Sequence, residues 1–532
     1  MRNLEDVLNK LKSSSGDNWD ALSTQFCSVA KYVNDGDYNK AHKALDEIIV
    51  PMEKKYGRRT EQIAYLYKYK GYLYKEEGNL DGFLQCSDIS IEIYNLVKSN
   101  CKTEEIERNM DIAYIHEKRN NPDKANKFYD CALSLCKDCL ESGEIKEHDV
   151  INYMADIYYY TNEYESSIRC IQALLKLEDA SSYDNKQLYC YLSKLYIYLK
   201  DYDRAIDCYR MAISYCIDEL PIRNKDELIE AKTNLVNIYI CMGNTYYLDS
   251  RFSDAITIYE IGLRIIRRCL VRNNKELENV YDGIGNAYWS LLDYKNAIKY
   301  FMKQARLRKK LYGSRHINTC GSYNSVGLIN RDMGDYGEAL AFFKMALKYA
   351  RKSSSFDKTM LAVYYNNAGI TYLDIGENDL AFANIKKAIE ILETVHEESQ
   401  YKSRFLNNMG MVYQANGELK TALEYYEKAL ALCIETGDSE NSNMAKVFCS
   451  LCSFYIAKGE YEIAVEYGLR SYGISSICFG SDHPFNIKVR KYIREAYAAL
   501  GMPLESFNSW LETANTESKA KVQEERTCSL LN

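Results

Sequence analysis

Two pairs of cysteines stand at a spacing that can hold a metal ion: Cys136 with Cys139, and Cys449 with Cys452. A C-x-x-C pair delivers two thiolates to one tetrahedral zinc when a tight turn brings them together. Both pairs fall in segments whose apolar spacing predicts helix, and they lie too far apart in the chain to complete one four-ligand site. Cysteine in a helical core acts as a small apolar residue, so the expected role is packing, with no metal and no cofactor. The six histidines, His42, His116, His148, His316, His396 and His483, are widely scattered. There is no G-x-x-x-x-G-K-[ST] phosphate loop, no G-x-S-x-G nucleophile elbow and no H-E-x-x-H zinc helix. The expectation is a protein that is not an enzyme.

Composition narrows the class further. The chain has 532 residues, 47% hydrophobic and 27% charged, with a net charge of −7. That is the balance of a folded chain, and it lacks the basic excess that marks nucleic-acid binders. The start, "MRNLEDVLNKLKSSSGDNWD", has no apolar signal core, and no stretch approaches the length of a membrane span. The 18 cysteines follow no disulfide framework, which predicts reduced thiols and a cytoplasmic location. Near the end, "TCSLLN" places Cys528 one residue too early for a prenylation box.

The elements that position these residues come from one repeated unit. A small residue recurs at Val29, Gly71, Ala113, Ala155, Ser193, Gly243, Gly285, Gly327, Gly369, Gly410 and Cys452, mostly 42 residues apart. Three residues on, nine of these eleven units have tyrosine, from Tyr32 to Tyr455; His116 and Asn330 depart from it. Twelve residues on comes alanine, with Phe83 and Ser167 as exceptions, and four after the alanine a large residue such as Tyr129, Tyr209, Tyr259, Phe301, Phe343 or Tyr426. Turns such as "GDY" (Gly334 to Tyr336) and "KDY" (Lys200 to Tyr202) lie between. This is a helical hairpin whose two helices cross where their side chains are small. One hairpin cannot bury its apolar face, so the units must stack.

The pattern resembles the tetratricopeptide repeat, over about four-fifths of the chain. Its 42-residue period, the "NNxG" helices at Asn366 and Asn407, and the "GSDHPF" and "GSRHIN" connections resemble kinesin light chain and nephrocystin arrays. The resemblance implies an all-α fold, a right-handed α-α superhelix of about eleven hairpins with terminal capping helices. The expected organisation is a capping helix over 1–20, an array over 21–480, capping helices over 481–515 and a tail over 516–532. The spacing slips between 193 and 243, where a hinge between two subarrays is expected. Trp510 and Leu511 are expected to close the C-terminal core. The N-terminal segment is too short for the coiled coil of true kinesin light chains.

The resemblance also implies a groove lined by the first helices. With the small residue counted as position eight, position five holds Asp282, Asn324, Asn366 and Asn407. Position nine holds Asn244 and Asn286, and position twelve holds Tyr247, Trp289, Arg331 and Gln414. Side-chain amides both donate and accept, so a row of them can hold the backbone of an extended peptide. Asn367 and Asn408, one residue further, point about 100° away and are expected to bond the adjoining repeat or the turn. Lys68 holds position five of its unit, but Tyr72, Met110 and Tyr114 stand where a carboxylate clamp would need other residues. The function implied is a scaffold or adaptor that binds a protein or peptide segment between residues 280 and 414, with neither nucleic acid nor membrane as partner. The alternative is a peptide-gated signalling regulator whose superhelix changes pitch on binding.

Overall fold

The computed structural model describes residues 19–515, apart from the connections 35–36, 58, 98–101, 120, 178–181, 219–223, 270–274, 352–356, 396–400, 436–441 and 480–483. The expected capping helix over 1–20 and the tail over 516–532 therefore lie almost wholly outside the described residues. What is described is all-α. The helices are α1 (Trp19–Asn34), α2 (Tyr38–Tyr56), α3 (Glu61–Glu77), α4 (Leu80–Val97), α5 (Lys102–Lys118), α6 (Pro122–Ser142), α7 (Glu147–Tyr160), α8 (Tyr164–Leu174), α9 (Ser182–Tyr198), α10 (Tyr202–Asp218) and α11 (Lys225–Leu248). They continue with α12 (Phe252–Cys269), α13 (Lys275–Ser290), α14 (Tyr294–Tyr312), α15 (Ile317–Met333), α16 (Tyr336–Ala350), α17 (Lys358–Asp374) and α18 (Asn378–Glu393). The last are α19 (Tyr401–Ala415), α20 (Leu419–Glu435), α21 (Ser442–Lys458), α22 (Tyr461–Phe479) and α23 (Pro484–Ala499), followed by a helix over 507–515.

The chain forms two compact units, Met1–Ile238 and Tyr239–Asn532, with the division inside α11. In each unit the helices pair as hairpins, and the repeat addresses explain why. A Cβ added at Gly327 would lie 2.6 Å from the Phe343 ring, and one at Gly410 would lie 2.7 Å from Tyr426 and 3.2 Å from the Ala422 carbonyl. The small residue of the first helix thus meets the large residue four places after the alanine of the second, as the spacing predicts. Where the alanine is replaced by Ser167, its hydroxyl donates to the Ala155 carbonyl at 2.8 Å and so remains satisfied in the crossing.

The turn seven residues after the small residue has a fixed hand. Gly334 ends α15 in the left-handed region at φ 85°, and its own N–H donates to Arg331 O at 3.0 Å. The next N–H, that of Asp335, reaches back to Asn330 O at 2.8 Å, which makes the paired closing bonds of a Schellman cap. Asn162, Lys200, Ser250 and Leu292 hold the equivalent address and are the four non-glycine residues at positive φ among the described residues.

The aromatics four places after the alanine, Tyr129, Tyr259, Phe301, Phe343 and Tyr426, are fully buried, as are Phe26, Tyr364, Phe405 and Phe454 on first helices. Most repeat tyrosines three after the small residue are only half-buried. They stack on the second helix instead, as Tyr288 does on Tyr300 and Tyr455 on Tyr467. At the C-terminal end, Leu511 is buried, and Trp510 packs on Tyr497 with ring centroids 4.5 Å apart. The four C-x-x-C thiols are buried. Burial pushes Cys136 up to about 12 and Cys449 up to about 11, so both stay protonated at neutral pH. Among the described residues no three His, Cys, Asp or Glu side chains gather as a metal would require. No described helix is long and apolar enough to cross a membrane.

Candidate partner-binding groove

All ten candidate groove residues lie in the unit Tyr239–Asn532, on the first helices of five successive hairpins. Two kinds of hydrogen bond tie those helices together. At position twelve, Tyr247 OH meets Ser290 Oγ at 3.0 Å, Trp289 Nε1 donates to Asp332 Oδ2 at 2.9 Å, and Arg331 Nε donates to Asp374 Oδ2 at 2.6 Å. Each links position twelve of one repeat to position thirteen of the next. At the other end of the helix face the asparagines do the same: Asn367 Nδ2 donates to Asn324 Oδ1 at 2.9 Å, and Asn408 Nδ2 to Asn366 Oδ1 at 2.8 Å.

This arrangement sharpens what the two adjacent asparagines do. Position six reaches the adjoining repeat, and the group it bonds there is the position-five amide itself. Asn366 and Asn407 are only 2% and 4% exposed. The Asn407 Nδ2 makes a weak 4.0 Å contact with Met411 Sδ, and its Oδ1 is buried with no donor. Asn324 is half-buried.

The other candidates divide between internal bonding and solvent. Asp282 accepts from Asn286 Nδ2 at 3.0 Å and from Gln304 Nε2 at 2.8 Å, so it is held within its own hairpin. Asn244 is exposed and accepts from Tyr259 OH. Gln414 is half-buried and accepts from Tyr426 OH at 2.7 Å. Trp289 is half-buried, with its ring edge-on to Phe301.

Arg331, Asn366, Asn367, Asn407 and Asn408 line one cleft of about 310 Å³, which Arg404, Lys446 and Lys488 also line. An adjoining cleft of about 370 Å³, lined by Gln414, Tyr426 and Tyr492, shares Met411, Cys449, Ser450 and Lys488 with the first. The cleft therefore collects side chains from α15, α17, α19 and α21 together with α23. Among the position-five and position-twelve candidates, Arg331, Asn366, Asn407 and Gln414 reach this double cleft, whereas Tyr247, Asp282, Trp289 and Asn324 do not.

The tetratricopeptide repeat profile matches residues 276–352, 322–394, 359–435 and 401–475, and a second profile of that repeat matches 187–216. The repeats within residues 187–216 and 276–475 are tetratricopeptide repeats. Tetratricopeptide matches thus cover the hairpins that carry most of the candidate groove. No curated protein sequence matches the chain.

Solved structures similar to this chain include the apo form of RapI, at 16% identity and a TM-score of 0.45, covering 70% of this chain and 99% of that one. BtubC (BKLC) from P. vanneervenii is similar at 18% identity and a TM-score of 0.36, covering 47% and 91%. The repeats of a Podosopora anserina putative kinesin light chain are similar at 15% identity and a TM-score of 0.34, covering 38% and 96%.

Sequence reasoning passed over Arg404, Lys446 and Lys488. Arg404 and Lys446 both stand at position two of their tetratricopeptide repeats, six residues before Gly410 and Cys452. A basic residue at the same address in successive units was the available signal.

Proposed function

We propose that this protein is a non-enzymatic interaction scaffold that binds an extended protein segment along the first helices of its tetratricopeptide array, with residues 280 to 414 as the principal groove. The observation that carries the reading is the cleft into which Arg331, Asn366, Asn407 and Asn408 converge from three successive repeats. Arg331, Asn366 and Asn408 already bond neighbouring repeats, but the Asn407 oxygen has no donor among the described residues, and an extended chain presents backbone N–H groups that can supply one. The half-buried Trp289 and Tyr247 flank the row as aromatic surface of the kind that dominates interface energetics.

The test compares partners retained by the wild-type protein with those retained by an Asn324→Ala/Asn366→Ala/Asn407→Ala variant. Thermal midpoints are measured alongside, because Asn366 also accepts an inter-repeat bond. The expected outcome is loss of partners at a temperature where the variant remains folded. Full retention by the folded variant contradicts the groove assignment.

A further inference from the structure

Two cations line the cleft, and among the described residues no carboxylate pairs with either. Arg404 on α19 presents its guanidinium with Nε and Nη2 both buried and unpartnered. Those two N–H groups form one edge of the guanidinium plane, the edge that grips a carboxylate or phosphate through two parallel hydrogen bonds. The plane is held by aromatic neighbours, with the Tyr401 ring at 5.2 Å and the Phe405 ring at 5.6 Å. Lys446 on α21 lines the same cleft, and Lys488 on α23 stands at its edge, exposed.

Among the described residues no Asp or Glu lines this cleft. Burial pushes both cations below their ordinary values, and the Arg404 charge pushes Lys446 down further. The other titratable groups acting on the pair are the Tyr401 phenol and the Cys478 thiol, neither a carboxylate. Two like charges taken out of water side by side are costly unless an opposite charge joins them. The chain carries a net charge of −7, yet none of its described acidic residues lines the cleft. Asn407, one helical turn from Arg404, adds a donor, since its Nδ2 makes only a weak 4.0 Å contact with Met411 Sδ and can turn to an anion.

We infer that Arg404, Lys446 and Asn407 form an oxyanion-binding site that takes a carboxylate or phosphoryl group. The Arg404 edge supplies two parallel donors, Lys446 supplies charge, and Lys488 steers the anion in from solvent. The role of this site as an anchor for the segment bound in the groove rests on the function proposed above; oxyanion binding itself does not.

The experiment titrates the full chain with inorganic phosphate and, separately, with acetate, against sodium chloride of matched ionic strength. Binding is read by calorimetry and by thermal midpoint. Wild type is expected to bind at least one of the two oxyanions, with Arg404→Gln and Lys446→Gln each weakening it at least tenfold and Lys387→Gln, on an exposed second-helix face, leaving it unchanged. Because the guanidinium edge has no partner in the free protein, Arg404→Gln is expected to keep the wild-type midpoint without anion, so its loss of binding is not a loss of fold. Tighter binding of phosphate assigns a phosphoryl source, and tighter binding of acetate a carboxylate. Equal response of wild type and both variants, or no response beyond that to chloride, overturns the inference. Failure here with partners still lost in the asparagine variant removes the oxyanion site and leaves the groove; the opposite pattern removes the groove and leaves the site.

Discussion

Asn408 donates from Nδ2 to Oδ1 of Asn366, 2.8 Å away and 42 residues earlier in the chain. The bond is buried, and it joins the first helices of two successive repeats. Removing the donor strands a buried carbonyl oxygen, which costs about 1–3 kcal/mol. Asn408→Ala is therefore expected to lower stability by that amount. Asn366→Ala/Asn408→Ala is expected to cost less than the sum of the two single changes, as a double-mutant cycle in urea would show. Strict additivity would mean the bond contributes nothing.

The helix crossing makes a sharper demand. A methyl group at Gly327 would meet the buried Phe343 ring at 2.6 Å. Overpacking of this kind costs about 1–3 kcal/mol, so Gly327→Ala should be destabilised by that much. Gly327→Ala/Phe343→Leu should recover part of the loss, because a smaller side chain frees the space. A neutral Gly327→Ala, measured by denaturant midpoint, would count against this crossing geometry.

Leu292 offers the opposite sign. It sits at φ 59° with its side chain 53% exposed, at the address where other repeats place glycine. A left-handed non-glycine residue costs roughly 1–2 kcal/mol, and the extra freedom of glycine in the unfolded chain takes back about 0.5–1 kcal/mol. Leu292→Gly should therefore raise stability by about 0.5–1 kcal/mol. A lowered thermal midpoint would show that the leucine side chain contributes packing that outweighs its backbone strain.

The thiols should sort by burial. Cys27 and Cys131 are exposed, whereas Cys136, Cys139, Cys449 and Cys452 are buried. Desolvation raises the buried thiols, Cys449 to about 11, so almost none is thiolate at pH 8. In the native protein, a thiol reagent at pH 8 should label Cys27 and Cys131 quickly and leave both C-x-x-C pairs until the chain unfolds. Rapid labelling of Cys449 or Cys452, read by peptide mass spectrometry, would contradict their packing role.

The period, the crossing and the turn were legible because each rests on local size and backbone demands that recur at fixed addresses. Gly327 and Phe343 needed only their spacing. Leu292 is readable only through the repeat, since nothing about a leucine announces a left-handed backbone. The two asparagines were harder. Asn366 and Asn367 have the same chemistry, so which one faces the groove and which the next repeat depends on the stacking rotation, which no single helix encodes. The structure makes them partners in one row, with position six of each repeat donating to position five of the one before. Arg404 and Lys446 escaped because position two lies outside the groove addresses that the family resemblance supplies. Their significance comes from missing counter-charges, which only the folded neighbourhood reveals.

The central claim is that an extended protein segment lies along the first helices between residues 280 and 414. A photo-crosslinking side chain placed at Gln414, which lines the double cleft, tests it without removing an inter-repeat bond. The control is the same group at Lys387, an exposed second-helix residue paired with Glu390. Partner protein is expected to crosslink from position 414 and not from position 387. Crosslinking from 387 alone, with none from 414, would contradict it.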